Sequence, residues 1–443
     1  MKLGDICSKI GSGATPRGGK DSYKDSGTAI IRSQNVLDWS FSSSGLAFID
    51  DDQSKALSNA EVKQGDVLLN ITGDSVARAC MAPSEFLPAR VNQHVAIIRA
   101  NEEADNLFLL AWLQANKGTL LKLASSGATR NALTKRMLEN LDVNLPPIDV
   151  QDKVAAFIDS IQAKIALNTK LNGYLLELAT ARFESALKTK SKTVRFGDIV
   201  ALEDSKRIPL NSRDREARKG PYPYYGATSI MDYVDDFLFD EIRVLLGEDG
   251  TVVNSEGKPI LQYVWGKYWV NNHAHILASS GEYSLEAIYV ALKRTAISQI
   301  VTGAVQMKIS QRNLKSLELE MPSSEELGYL QDLFAAYRSN QDENTKLAAL
   351  RDALLPRLMS GEIDVSKVDL TQLNSHLAAT LLPFGCHIPA IQNGAARAPA
   401  SRPVAPAITS QRQPALLPTS QKSQRTGPCV WAFPLGKNPP PPL

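Results

Sequence analysis

The sequence predicts an α/β (α+β) protein built twice over. Two copies of one strand-rich unit are separated by two long antiparallel coiled-coil helices and related by a pseudo-two-fold. Three observations predict this. From about Val150 to Leu187, the apolar residues Val154, Ile158, Ile161, Ile165, Leu171, Leu175 and Leu178 recur mostly at steps of three and four, which places them on one stripe of a helix. From about Glu326 to Leu358, the residues Leu330, Phe334, Tyr337, Leu347, Leu350 and Leu354 form a second stripe that corresponds to the first. The tetrapeptide Asn168-Thr169-Lys170-Leu171 also recurs unchanged as Asn344-Thr345-Lys346-Leu347, a shift of 176 residues, so one register relates both helices.

At about 1.5 Å per residue, a helix of about 35 residues spans about 50 Å, against about 11 to 12 residues for an ordinary globular helix. Each stripe needs an apolar partner, and the other stripe supplies it. The alternative, in which each helix lies on its own domain, leaves unexplained why the repeat extends well beyond the helices. Asn168 and Asn344 sit near the middle of the two stripes. A polar residue there either fixes register at some cost in stability or faces solvent on the flank.

Taken in order, the first unit opens with Lys2-Leu3-Gly4-Asp5-Ile6 and a Gly/Ser/Pro-rich loop, and its echo is Val194-Arg195-Phe196-Gly197-Asp198-Ile199. A strand-like run at Ala29–Arg32 leads into Ser33-Gln34-Asn35. Gly65–Asp74 reads as a turn, a buried strand and a polar loop, answered by Ile242–Gly250. Val91-Asn92-Gln93-His94 enters a strand in the first unit, and Val270-Asn271-Asn272-His273 enters one in the second. Both halves then carry an amphipathic helix (Leu107–Ala115 and Leu285–Thr295), a loop at Ser126-Gly127 or Thr302-Gly303, and a last strand, Leu141–Pro146 or Leu317–Pro322. Proline punctuates the entry to each long helix. The expected boundaries are 1–148 and 191–323 for the two units, 149–190 and 324–365 for the helices, and 366–443 for a Pro/Ala-rich tail whose composition predicts disorder.

With 443 residues the chain exceeds what one core normally supports. Its 43% hydrophobic and 22% charged residues describe a soluble protein. No run approaches the roughly 20 apolar residues needed to cross a bilayer, so a cytoplasmic location and no membrane partner are expected. Net charge is +2, with about six basic residues and no acidic ones from Leu370 onward, so the part before it is slightly acidic. Any nucleic-acid binding must then use local patches or a more basic partner.

Chemistry is scarce. Cys7, Cys80, Cys386 and Cys429 are scattered without metal-ligand spacing. No GxxxxGKS/T loop and no GxGxxG after a strand offers a nucleotide cradle. Asn144-Leu145-Pro146-Pro147 and Asn438-Pro439-Pro440-Pro441 lack the order or the aromatic residue that base amino-group methylation requires. His94 and His273 occupy equivalent repeat positions. His275 lies two residues beyond His273, which would put both on one strand face, but further metal ligands are missing, so satisfied strand histidines are expected. The chain reads as non-catalytic.

The polar loops suit nucleic-acid readout better, since Asn and Gln can pair with adenine while Arg and Lys address guanine or phosphate. The candidates are Gln34, Asn35, Thr72, Ser75, Arg78, Asn92, Gln93, Arg130 and Lys135 in the first unit. In the second they are Arg207, Tyr224, Tyr225, Thr228, Asn271, Asn272, Gln306, Lys308 and Arg312. For any one of them the alternative is a strand-end cap or a solvated loop.

Residues 2 to 365 resemble the specificity (S) subunit of Type I restriction-modification enzymes. The resemblance rests on the openings ending Gly4-Asp5-Ile6 and Gly197-Asp198-Ile199, on Leu145-Pro146-Pro147, and on the closing run from Leu354-Leu355-Pro356-Arg357 through Gly361-Glu362-Ile363. It implies a DNA-binding subunit without catalysis of its own, whose two target-recognition domains each read half of a split, asymmetric site in double-stranded DNA. The helices between them would set the unread gap and dock two methyltransferase (M) subunits, with restriction/translocase (R) subunits joining that core. S-adenosylmethionine, ATP and Mg would be used by those partners, and no cofactor by this chain. Units about 50 Å apart can meet major-groove faces at least one turn, about 34 to 36 Å, apart. Two other readings are a helical protein-protein adaptor and a self-contained DNA-modifying enzyme.

Overall fold

The computed structural model describes residues 1–18, 22–125, 131–303 and 306–365. The expected tail from 366, the Ser126-Gly127 loop and Arg130 lie outside the described residues. Each unit folds around a four-stranded antiparallel sheet of the same order. In the first unit the strands run Cys7–Ser12, Val95–Ala100, Val67–Asn70 and Ala79–Met81; in the second they run Val200–Leu202, Ala274–Ser279, Arg243–Gly247 and Leu261–Val264. Leu68 stands opposite Ile97 in one, and Leu245 opposite Ile276 in the other. These strands read as near-continuous apolar runs because both faces are covered.

One cover is a second four-stranded sheet, again in matching order. Its inner strands, Thr28–Ile31 and Ala89–Val91, pair in parallel, as do Lys219–Tyr225 and Lys267–Val270. The other cover is a helix, Asn106–Ala115 or Leu285–Arg294. Asp105 accepts a hydrogen bond from the Phe108 amide at 2.8 Å and Ser284 one from the Ala287 amide at 3.2 Å, so each helix begins at a side-chain cap. The expected last strand forms only in the second unit, where Glu318–Pro322 pairs with Ser191–Arg195. In the first unit its counterpart reduces to one bridge between Lys2 and Asp142.

The long helices span Ile148–Thr189 and Tyr329–Met359, 42 and 31 residues. The second starts later than the expected boundary at 324 because Ser324–Leu327 forms a 3-10 turn, and its first residue directly precedes Leu330, where the apolar stripe begins. They run antiparallel. Val154 and Ile158 join Leu355 and Leu358 in the core of the first unit, whereas Leu176, Ala179 and Phe183 join Leu330 and Phe334 in the core of the second. Each unit therefore shares one end of the helix pair.

Between those ends the seam is polar. Asn168, only 1% exposed, donates to Asn344 Oδ1 at 3.0 Å and to Glu343 Oε2 at 2.7 Å, and buried Lys164 approaches the same Glu343 oxygen at 3.2 Å. Asn340 donates to Asn172 Oδ1 at 2.8 Å. Because Asn168 and Asn344 are repeat equivalents and touch each other, the pseudo-two-fold passes between them.

This seam corrects three members of the expected stripe: Leu171, Leu178 and Leu350 are 38%, 45% and 47% exposed. The buried face continues from Ile161 through Asn168 to Leu175 and Leu176. A count of apolar residues alone steps over the asparagine and lands on the neighbouring face. Ile165, Leu175, Tyr337 and Leu354 are half-buried at the seam's margin, and Ile161 and Leu347 are buried in it.

Tryptophans tie each unit to the helices. The Trp39 carbonyl accepts from Gln162 Nε2 at 3.4 Å while the buried Arg351 guanidinium lies 4.6 Å from the Trp39 ring. In the second unit Trp265 Nε1 donates to Asp342 Oδ1 at 2.9 Å.

Candidate nucleic-acid interface

In each unit three loops meet at the end of the central strand, and backbone hydrogen bonds lock them in equivalent positions. Past Val67–Asn70, the Ile71 amide donates to the His94 carbonyl at 3.0 Å, the Gly73 amide to Asn131 at 3.0 Å, and the Leu133 amide to Ile71 at 2.8 Å. Past Arg243–Gly247, the Glu248 amide donates to His273 at 2.8 Å, the Gly250 amide to Met307 at 3.0 Å, and the Ile309 amide to Glu248 at 2.9 Å. Gly73 and Gly250 both take positive φ, 75° and 80°, which lets the loop turn sharply there.

Around this edge the first unit gathers Thr72, Ser75, Gln93 and His94, and the second gathers Asn272, His273, Lys308, Glu248 and Asp249. Gln93 is exposed, accepts from the Thr15 hydroxyl through Oε1, and sets its amide nitrogen 3.1 Å from His94 Nε2. Thr72 Oγ1 lies 2.6 Å from His94 Nδ1. In the second unit Asp249 Oδ1 lies 2.6 Å from His273 Nδ1, and the exposed Lys308 approaches Glu248 at 3.3 Å. The half-buried Arg78 guanidinium meets no partner among the described residues. Gln34 is exposed and donates to the Gly45 carbonyl at 3.3 Å, and the preceding Ser33 carbonyl accepts from Asn70 at 2.9 Å. Thr228, Gln306 and Arg312 are exposed. Tyr225 is half-buried edge-on to Tyr268, and burial pushes its hydroxyl pKa up. Lys135 instead lines a groove with Gly4, Lys9 and Asn59 and approaches Glu139 at 3.5 Å.

Four expected readers, Asn35, Asn92, Asn271 and Tyr224, are buried, and a fifth, Arg207, is half-buried and bonded to its neighbours. Asn35 accepts from the Arg32 amide and donates to the carbonyls of Ser42 and Ser44. Asn92 and Asn271 each accept from the amide two residues on, at 3.0 and 2.8 Å, shaping the turn into the following strand. The Tyr224 hydroxyl is held by the backbone of Leu210. Arg207 is spent on Glu248, at 2.7 Å, and on the carbonyls of Asp204 and Ala274. Such residues turn these polar atoms to the protein and hold the loops.

Of the expectation for the histidines, the shared strand face is overturned while His275 is the satisfied strand histidine foreseen. His273 lies in the turn before its strand, so it does not share a strand face with His275. His275 is buried, with Nδ1 2.6 Å from Asp204 Oδ2 and Nε2 2.8 Å from the Ile309 carbonyl. Asp204, Glu248 and His275 form a cluster of potential metal ligands. Asp204 also accepts from Gln311 at 2.6 Å and from the Ile276 amide at 2.9 Å, so its oxygens are already turned to protein donors. Burial raises the Asp204 pKa, but hydrogen bonding and charge from His275, the backbone and Arg207 outweigh it and hold the carboxyl below its ordinary value. Sequence reading missed His94, His273 and Asp249 as members of this edge; the equivalence of the two histidines in the repeat was the available signal.

The family model for the Type I restriction modification DNA specificity domain matches twice, over residues 1–176 and 188–350. A putative type I restriction enzyme specificity subunit, S.HindORF215P of Haemophilus influenzae, is 27% identical over 125 residues, which is 28% of this chain and 31% of that protein. The putative type I restriction enzyme MjaX specificity subunit of Methanocaldococcus jannaschii is 20% identical over 82% of this chain and 93% of its own length. The crystal structure of a Type-I restriction-modification system S subunit from M. genitalium aligns with 81% of this chain and 95% of that one, at 14% identity and a TM-score of 0.47. The two family matches fall one on each α/β unit and together cover most of the chain, each running on into the long helix that follows its unit, and the chain therefore belongs to the Type I restriction-modification specificity family.

Proposed function

We propose that this chain is the DNA-reading specificity subunit of a Type I restriction-modification complex. Each α/β unit reads one half of a bipartite, asymmetric site, and the helices set the spacer. The observation that carries this reading is the pair of equivalent loop edges. Backbone geometry is repeated between them, while the polar side chains differ: exposed Gln93 with half-buried Thr72 and Arg78 on one, exposed Asn272 and Lys308 with half-buried Asp249 on the other. A duplicated scaffold with unlike polar edges, held on an antiparallel helix pair, suits two unlike half-sites on one duplex.

The helices also supply a docking surface. Leu167, Leu171, Tyr174 and Leu178 line one exposed apolar face of the first helix, and Leu350, the repeat equivalent of Tyr174, is exposed on the second. An exposed apolar face on the first helix, with Leu350 exposed at the equivalent place on the second, suits docking of the methyltransferase subunits. S-adenosylmethionine, ATP and Mg belong to the methyltransferase and restriction subunits in this reading. No described helix is long and apolar enough to cross a membrane, and the reading places the chain in the cytoplasm with its DNA.

The test is adenine methylation mapped across the genome of a methylation-free host carrying this chain with its neighbouring methyltransferase gene, and carrying that gene alone. A split, asymmetric motif that appears only with this chain is the expected result. A soluble assembled complex that adds no methylation would overturn the reading in favour of a protein adaptor.

A further inference from the structure

His94 and His273 occupy the same place in the two units, and their surroundings differ at both ring nitrogens. In the first unit the Thr15 hydroxyl donates to Gln93 Oε1, which turns the Gln93 amide nitrogen toward His94 Nε2 at 3.1 Å. That nitrogen therefore accepts, the ring proton sits on Nδ1, and Nδ1 donates to Thr72 Oγ1 at 2.6 Å. Both ring nitrogens of His94 are satisfied within the protein.

In the second unit the position of Gln93 is taken by Asn272, one methylene shorter, and no side chain among the described residues meets His273 Nε2. The other nitrogen is fixed: Nδ1 donates to Asp249 Oδ1 at 2.6 Å, and the His273 amide donates to Asn271 Oδ1 at 2.8 Å. The His273 side chain is 44% exposed, whereas Asp249 beneath it is 20% exposed. The imidazole is thus held on its inner side by Asp249, with its backbone fixed by Asn271, and presents an acceptor on its outer side. A carboxylate behind an imidazole fixes the tautomer and the ring's orientation.

We propose that His273, positioned by Asp249, is a specificity-determining residue of the second unit, whose Nε2 accepts a hydrogen bond from the exocyclic amine of an adenine or a cytosine in the major groove. This rests on the reading of the chain as a DNA specificity subunit. An acceptor at this point favours the base pair that presents an amine there over one that presents a carbonyl oxygen, because the latter leaves two lone pairs facing each other. The first unit reads its bases without this contact, since the equivalent nitrogen is already capped.

The test uses the full chain assembled with its methyltransferase subunits, with methylation mapped genome-wide for wild type, His273→Phe and Asp249→Asn. His273→Phe keeps a planar ring and removes the acceptor. It should relax one base position in the second half-site, with about tenfold less discrimination there, and leave the first half-site unchanged. Asp249→Asn can present its amide nitrogen to Nδ1 and move the ring proton to Nε2, so discrimination at that same position should fall or change toward a carbonyl-bearing base. The unchanged first half-site reports that each variant is folded and assembled. If His273→Phe methylates the wild-type motif with unchanged discrimination at every position, or relaxes a position in the first half-site, the proposal is overturned. A wild-type complex that yields no bipartite motif would instead remove the underlying reading of the chain.

Discussion

The two α/β units share their backbone wiring and almost none of their buried polar wiring. Leu68 faces Ile97 as Leu245 faces Ile276, and the loop bonds at the strand ends match one for one. Next to these matched strands the charges are reversed. In the first unit buried Asp66 is gripped by Arg99 through two bonds of 2.6 and 2.7 Å. The residue in the same place in the second unit is Arg243, which donates to Glu203 at 2.8 Å. One strand over, the small and apolar Ala96 of the first unit is replaced by His275, with Asp204 and Gln311 gathered around it. The difference teaches that apolar register and loop closure define the scaffold, while each copy neutralises its own buried charges by whatever partners it has acquired.

The most severe way to break this comparison is to remove Asp204. Its side chain is almost fully buried and holds His275, Gln311 and the Ile276 amide, so Asp204→Ala strands an uncompensated ring and two donors. Breaking such a buried pair costs about 3–5 kcal/mol. Chemical denaturation followed by hydrogen exchange should show this loss in Arg243–Gly247, with Val67–Asn70 protected as before. Equal loss in both units would mean that they do not keep separate polar cores.

Acid should separate the units by a smaller margin. In the second unit burial raises the pKa values of Asp204, Glu203 and Asp232, but their hydrogen bonds to His275, to Arg243 and to Lys219 respectively outweigh it and leave all three below their ordinary values. A carboxyl with a lowered folded pKa contributes stability that is present above its unfolded pKa, about 4, and is lost as pH falls through the folded value. In the first unit only the exposed Asp142, paired with Lys2, is lowered among the described residues. Acidification below about pH 4 should therefore open the second unit first, as read by exchange at Ile276 against Ile97. Simultaneous opening would show that these carboxylates do not set the order.

What the sequence made legible follows the same division. The 176-residue repeat located both helices and the matched strands, because apolar periodicity and turn residues are local signals. The readers were legible only as a set of polar loops. Asn92 and Asn271 are chemically suited to adenine, yet they close the turn before a strand, and nothing in the string distinguishes an Asn whose oxygen points inward from one that points out. His94 and His273 were visible as equivalents, but their meaning depends on Thr72 and Asp249, more than 20 residues away in sequence. Leu171 was misplaced because hydrophobicity was allowed to outvote register at Asn168.

Asn168 is where the comparison closes on itself, since it is a seam position that bonds to its own counterpart. Truncation by Asn168→Ala leaves Asn344 and the Lys164–Glu343 pair with a missing partner in a buried setting, at a cost of about 1–2 kcal/mol. Replacing both copies, Asn168→Leu with Asn344→Leu, removes both amides and adds apolar contact, while the part-exposed Glu343 keeps Lys164, so the helix pair should be at least as stable as wild type. The asparagine pair contributes register, and two leucines can pack in neighbouring registers almost equally well. The expected signature is a rise in thermal midpoint together with methylation at more than one spacer length, one helical turn apart. A double variant that is stabilised and still methylates a single spacer would assign register to the ends of the helix pair, where Phe183 and Phe334 lock one unit and Ile158 and Leu355 the other.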